Sequence, residues 1–290
     1  MIIRSFCPGH ITGFFQIVEH EEPLRSGSKG AGICVALGAK CLLEAKPGNG
    51  EIEVRLDGRP EPAPVTRDAI MGLPGWETLD IDLSIEHELP VGQGFGMSAA
   101  GALAASLAVS AALGLGRSDA VSAAHLAEIK NRTGLGDVAA LSVGGVTFRI
   151  KEGVPPHGLV KRIDGDPELV LCVIGRPIST AGTISDPEVR RKVNEVGADC
   201  VRRMAETTSL SNLMRLSRDF MLRTGLADPK VESAVRSVED AGGLASMVML
   251  GSSVFALGDV DRMAGILKGY GKVYCTGTDL LGPRVRGNGQ

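Results

Sequence analysis

The sequence predicts an α+β fold, and three observations carry the prediction. In each half of the chain the strand patterns come first and the helical patterns follow, without the strict alternation of a βαβ sheet. The chain has 290 residues, enough for one large domain or two intimate ones with a substantial core. Its apolar mass is Ala, Val, Leu, Ile and Met; hydrophobic residues reach 43% while aromatics are only 3%, which suits helices packed closely on a sheet.

The first half reads in order as follows. Residues 2–7 and 32–43 are predicted strands, the second a long apolar run. Segments 51–56 and 79–85 alternate, with Ile52, Val54 and Leu56 and then Leu79, Ile81, Leu83 and Ile85 on one face, as half-buried strands do. Between them, residues 60–76 hold four prolines and read as a surface connection. Residues 98–113 set Leu103, Leu107 and Leu113 on a background of small residues, a helix stopped by Gly114 and Gly116. Ser118 is the expected N-cap of a second helix through Asn131, with Asp119 in its first turn. Residues 144–150 read as a strand.

From Val154 to Pro167 the composition turns to Pro, His, Gly, Lys and Asp. The seam is expected there, dividing the chain into 1–157 and 158–290. The second half opens on a buried strand at 169–174. Helices are expected at about 187–205, 210–225 and 231–241. Strands at 246–250 and 254–257, a helix from about Val260 and a strand at 272–275 complete it.

Charge and cysteine usage narrow the function class. The formal net charge is −3 and the isoelectric point about 6.0, so a polyanion such as nucleic acid is not expected as partner. The six cysteines show no C-x-x-C pair and no zinc spacing, so reduced and mostly buried thiols are expected. The segment MIIRSFCPGH lacks the longer apolar core of a signal peptide, and the mild stretch 99–115 is too short to span a bilayer. A cytoplasmic protein without a membrane partner is therefore expected.

The strongest local signal is Pro90-Val91-Gly92-Gln93-Gly94-Phe95-Gly96-Met97-Ser98-Ala99-Ala100-Gly101. It leaves a predicted strand and enters a predicted helix. Glycines at 92, 94 and 96 allow backbone N–H groups to turn toward one point, and the helix adds free N–H groups and a positive dipole end. Together they make an anion site sized for phosphates. The segment is neither G-x-G-x-x-G nor G-K-[ST], which excludes the Rossmann turn and the Walker A loop. Helix 118–131 then carries His125 and Glu128 three residues apart on one face, and Thr133-Gly134-Leu135-Gly136-Asp137 follows it. Ser98, Glu128 and Asp137 thus offer a hydroxyl and two carboxylates near one phosphate site, the needs of metal-assisted phosphoryl transfer. Read alone, each has a plainer alternative. The loop is also a Gly-rich bend before an Ala-rich helix, Glu128 a solvated charge, Asp137 an N-cap and His125 a hydrogen-bonded structural histidine.

Three segments in this order resemble the GHMP kinases, the superfamily of galactokinase, homoserine kinase, mevalonate kinase and phosphomevalonate kinase. Cys7-Pro8-Gly9-His10-Ile11 is similar to the N-terminal A-P-G-R/K motif, with His10 at the basic position. Pro90 to Gly101 is similar to the P-x-x-x-G-L-G-S-S-A-A phosphate loop, with Met97 for the first serine. Leu250-Gly251-Ser252-Ser253-Val254-Phe255-Ala256-Leu257 resembles a thinned C-terminal Gly-rich motif. The resemblance spans nearly the whole chain. It implies an N-terminal domain with a left-handed βαβ unit, a ferredoxin-like C-terminal domain and a site in the cleft between them.

The resemblance also implies roles. It makes the chain an ATP-dependent small-molecule kinase with ATP and Mg²⁺, and a homodimer is the expected assembly. Pro90, Gly92, Gly94, Gly96, Met97, Ser98, Ala99 and Ala100 match the phosphate loop. Ser98 and Glu128 match the metal-holding pair, and Asp137 matches the aspartate that faces the acceptor hydroxyl. The acceptor is expected to be a small hydroxy acid, with Ser28, His125, Arg149 and His10 as its candidate contacts. Arg149 is the candidate for the acceptor's carboxylate, because a guanidinium pairs with one bidentately; Arg132 and Lys29 are the rival cations. Homoserine, shikimate and mevalonate are the alternative acceptors, and a non-catalytic metabolite sensor is the alternative function.

Overall fold

Two long strands form the frame of the first sheet. In the computed structural model, which describes residues 1–177, 182 and 185–286, β1 runs Ile2–Val18 and β2 runs Gly27–Pro47. Both exceed the predicted spans at 2–7 and 32–43. They pair antiparallel from Ile2↔Glu44 to Val18↔Gly27, with irregularities at Pro8/Gly9 and Thr12/Phe14. The Pro8-Gly9 pair, just past the predicted span, is a bulge within one continuous strand. Proline is tolerated there, and Gly9 is needed, because a Cβ would lie 2.8 Å from the Leu37 carbonyl.

The strands β3, Ile52–Leu56, and β5, Leu79–His87, pair in parallel. Between them come the short β4, Arg59–Pro60, and α1, Pro64–Met71. This β3–α1–β5 unit corrects the surface connection expected at 60–76. Pro64 occupies the first turn, where its missing N–H is not needed, and Val65, Thr66, Ala69 and Ile70 are buried. The sheet order is β12-β1-β2-β5-β3-β4. β6, Val146–Lys151, pairs with β2, and β7, Leu159–Ile163, pairs with β6. β7 lies beyond residue 157 yet belongs to this sheet, and β12, Arg284–Arg286, returns the chain to β1.

Helix α2, Met97–Leu113, is buried on nearly every side. Its Ala, Gly and Ser residues let it lie against β1 and β2 and also against α1 and α3. Gly114 ends it at φ +71°, a conformation that L side chains disfavour. Helix α3 is Arg117–Asn131, with Gly116 rather than Ser118 at the N-cap. Asp119 accepts from the Gly116 N–H at 2.9 Å, so the acidic residue caps from inside the helix. The short α4, Asp137–Leu141, follows.

The second sheet, β11-β8-β10-β9, is antiparallel throughout. It comprises β8 Leu169–Val173, β9 Leu244–Met247, β10 Ser253–Leu257 and β11 Lys272–Thr276. Helices α5 Pro187–Glu206, α6 Leu210–Thr224 and α7 Pro229–Asp240 stand between β8 and β9, and α8 Val260–Leu267 between β10 and β11. In order of appearance the strands lie 4-1-3-2, the ferredoxin-like arrangement. Cys7, Cys34, Cys41, Cys172 and Cys200 are buried free thiols and Cys275 is exposed. Among the described residues, no helix is long and apolar enough to cross a membrane.

Candidate active site

The glycine loop between β5 and α2 is held from two sides. Gly92, Gly94 and Gly96 have φ of +79°, +81° and +65°, which L side chains rarely adopt. On one side the His10 N–H donates to the Phe95 carbonyl at 2.9 Å. On the other the loop abuts the second half of the chain. A Cβ on Gly94 would lie 2.7 Å from the Met249 carbonyl, and one on Gly251 would lie 2.0 Å from that of Gln93. Gln93 fastens this contact with its side chain, donating from Nε2 to the Gly175 carbonyl and accepting at Oε1 from Ser253. The thinned C-terminal motif therefore props the loop from behind, while Met249 and Leu250 reach the cavity.

A cavity of about 290 Å³ opens in front of the loop. Gly92, Gly94, Gly96, Met97, Ser98 and Ala99 line it. Pro90 and Ala100, two of the predicted loop contacts, are not among its walls. Ala100 is fully buried in α2, and its N–H donates to the Gly96 carbonyl at 2.9 Å. Gly96 caps α2, so the free N–H groups of the helix's first turn lie at the wall that Met97, Ser98 and Ala99 form.

Ser98 Oγ donates to Glu128 Oε1 at 2.7 Å, and Thr133 Oγ1 donates to the same oxygen at 2.8 Å. Glu128 is 2% exposed, and burial raises its carboxyl to about 7; the nearby Asp137 charge adds to the rise and the two hydroxyls only partly offset it. Its other oxygen faces the Asp137 loop. A Cβ on Gly134 would lie 2.2 Å from Glu128 Oε2 and 3.3 Å from Asp137 Oδ2. A buried carboxylate with a serine hydroxyl beside a phosphate-sized anion site suits Mg²⁺, which takes one or two protein oxygens and fills the rest of its shell from phosphates and water. Among the described residues no group of three or more His, Cys, Asp or Glu could hold a metal ion.

Asp137 begins α4, and its side chain lines the cavity with 25% exposure. Its Oδ1 is 2.7 Å from His10 Nδ1. Burial works to raise the Asp137 carboxyl, but the hydrogen bond from His10, the Arg149 charge and the Thr12 hydroxyl outweigh it and hold the group below its ordinary range. His10 is fully buried, which pushes its imidazole below the ordinary value despite Asp137. It does not line the cavity, so the expected acceptor contact is corrected to a contact with Asp137. Arg149 is only 1% exposed, yet it lines the cavity. Burial lowers its guanidinium and Asp137 counters that effect. Its Nη1 faces His10 Nε2 at 3.5 Å, and its Nε is buried without a hydrogen-bond partner.

Ser28, on β2, also lines the cavity, beside Gly136. His125 is not among its walls; its Nε2 donates to the Ser26 carbonyl at 3.0 Å on the approach to β2. Of the rival cations, Lys29 pairs with Glu152 at 3.5 Å away from the cavity, whereas Arg132 is exposed and lines it. Thr12, Thr133 and Gln93 were not identified as site residues from the sequence. Gln93, inside the quoted glycine loop, and Thr133, inside the quoted Gly-flanked loop, both lay in segments that carried a signal there.

The chain is similar over most of its length to known proteins. The family of GHMP kinases N terminal domains matches residues 67–145. The chain is 35% identical to the pantoate kinase of Thermococcus kodakarensis over 265 residues, 89% of this chain and 88% of that one. It is 30% identical to the pantoate kinase of Methanospirillum hungatei over 288 residues, 98% and 96% of the two chains. A solved structure described as a phosphotransferase related to the CoA biosynthesis pathway superposes with a TM-score of 0.89 at 31% identity, covering 99% of both chains.

Proposed function

The chain belongs to the pantoate kinase family of the GHMP kinases, and from that premise we propose how its cavity works. The reaction is the ATP-dependent phosphorylation of (R)-pantoate to (R)-4-phosphopantoate in coenzyme A biosynthesis. One observation carries the assignment of roles. The glycine loop, Ser98, Glu128, Asp137 and Arg149 line one cavity, with Glu128 and Asp137 both beside Gly134. A phosphate donor and a carboxylate-bearing acceptor can therefore meet in one space.

The triphosphate lies on the loop from Gly92 to Ser98, held by backbone N–H groups and the start of α2. Ser98 and Glu128 would hold Mg²⁺, which when bound offsets the charge that develops on the phosphate oxygens. Asp137 hydrogen-bonds the acceptor hydroxyl and takes up its proton as that oxygen bonds the γ-phosphorus of ATP and the bond from the γ-phosphorus to the β–γ bridging oxygen breaks, releasing ADP. The buried Nε of Arg149, without a partner in the protein, receives the acceptor's carboxylate, with Ser28 beside it. Placing the carboxylate at one end and Asp137 at the other orients the hydroxyl, and such positioning is a large share of catalysis in phosphoryl transfer.

An ADP-release assay with pantoate, homoserine, shikimate and mevalonate tests the reading. Turnover with pantoate at least tenfold above the others supports it. Turnover led by another acceptor reassigns the substrate, and none with any of them reassigns the protein to the sensing class.

A further inference from the structure

We propose that His10 is a positioning residue that couples Arg149 to Asp137 through a neutral imidazole fixed as its Nδ1–H tautomer. The inference rests on the reading above for which groups meet the acceptor, but its geometry does not depend on it. His10 has no exposed surface and no place in the cavity wall, so it acts on a ligand only through its neighbours.

The chemistry of those neighbours selects the tautomer. A carboxylate only accepts, so the nitrogen 2.7 Å from Asp137 Oδ1 carries the hydrogen, and that nitrogen is Nδ1. A guanidinium only donates, so Nε2, 3.5 Å from Arg149 Nη1, presents its lone pair. An imidazolium would aim a second N–H at a buried cation. Thr12 Oγ1, at 3.4 Å from Nδ1, is the further polar neighbour and carries no charge.

The ring is also held in place. A Cβ on Gly32 would lie 2.5 Å from Nε2 and 3.0 Å from Cε1, so only glycine at 32 leaves room for the imidazole. Gly96 packs against the His10 Cβ, and the His10 N–H binds Phe95 in the glycine loop. One residue therefore touches the phosphate loop with its backbone and both acceptor-facing groups with its ring. The neutral bridge has a chemical consequence. A lysine or arginine at this position would pair Asp137 with a full positive charge and weaken it as a proton acceptor. A neutral N–H fixes the carboxylate's orientation while leaving it more basic.

Nitrogen-15 spectra of the labelled apoprotein at pH 7 read the tautomer directly. His10, assigned by the signals lost in His10→Asn, is expected to show a pyrrole-like Nδ1 and a pyridine-like Nε2. The kinetics separate its two links. His10→Asn keeps an N–H near the Nδ1 position and has no atom at Nε2. It should retain kcat within about tenfold and raise the KM for pantoate about fivefold or more. His10→Ala loses both links, so kcat should fall about 100-fold with the KM for ATP within about threefold. An imidazolium or an Nε2–H tautomer overturns the proposal, as does His10→Ala with parental kcat. If His10→Ala does not fold, the spectrum and His10→Asn decide. The spectrum needs no substrate, so failure of pantoate turnover in the parent protein would strike the substrate reading and leave this one standing.

Discussion

Ser98, in the first turn of α2, donates its hydroxyl to Oε1 of Glu128, near the end of α3, across 2.7 Å and 30 residues of sequence. The bond ties the phosphate loop to the buried carboxylate, so the two groups proposed to hold Mg²⁺ are placed before any nucleotide arrives. Ser98→Ala should lower kcat about 100-fold and raise the Mg²⁺ concentration needed for half-maximal rate. Its far-UV circular dichroism should be unchanged, since alanine suits a buried helix start. Normal turnover at ordinary Mg²⁺ would remove Ser98 from the site.

Burial of Glu128 carries a pH signature in the metal-free protein. Its carboxyl is raised from 4.5 to about 7 in the folded chain. The folded state therefore holds a proton that the unfolded state has released between those values. Its stability relative to a neutral isostere is intact below about pH 4.5 and falls as pH rises to about 7. Glu128→Gln keeps an acceptor for Ser98 and carries no charge. Denaturant titrations should find it gaining about 2–3 kcal/mol on the parent between pH 5 and pH 8. Groups common to both proteins cancel in that difference. A gap that does not widen would mean that Glu128 is already ionised at pH 5.

Asp137→Asn keeps the size and the His10 contact but removes the proton acceptor. A drop in kcat of about 100-fold or more is expected, with the KM for ATP within about threefold, if Asp137 meets the acceptor as proposed. Equal losses in both parameters would place Asp137 with the nucleotide instead.

The site was legible in the sequence where one residue carries one role in a local motif. Gly92, Gly94, Gly96, Ser98 and Glu128 could be read because a loop, a helix start and a helix face are short-range features. The pairing of His10 with Asp137 spans 127 residues and depends on the bulge at Pro8/Gly9, which no local pattern announces. His125 shares a helix face with Glu128, but one turn along α3 its Nε2 meets the Ser26 carbonyl, a partner 99 residues away that helix period does not announce. Helix α1 was hidden by its prolines, although Pro64 starts that helix, and β12 was hidden because three residues carry no periodicity.

Gly136 offers a test of the acceptor wall without touching a charged group. A Cβ there would lie 2.1 Å from Ser28 Oγ and 2.7 Å from Arg149 Nε. Both neighbours are buried, so neither can swing clear easily. Gly136→Ala should raise the KM for pantoate about tenfold and leave the KM for ATP within about twofold. If the KM for ATP rises as much as that for pantoate, the acceptor does not lie between Ser28 and Arg149.

Arg149 and Arg132 are the two arginines that line the cavity, and their surroundings separate them. Arg132 is exposed at the end of α3, in a left-handed backbone conformation with φ +54°. A charge in water binds a carboxylate weakly, because solvent screens it and the side chain must be ordered. Arg149 is 1% exposed, fixed on β6 opposite Gly30, with Nε unpaired. A buried donor without a partner costs free energy that an incoming carboxylate recovers, and burial strengthens the bond. Losing such a charged contact costs about 1.5–3 kcal/mol, a factor of about ten to a hundred in KM. Arg149→Ala should show that rise for pantoate and little change for ATP, while Arg132→Ala should change the KM for pantoate less than about threefold. Thermal melts must accompany the measurement, because removing a buried arginine also leaves a void beside His10. The opposite ranking of the two variants, with both folded, would move the carboxylate anchor to Arg132.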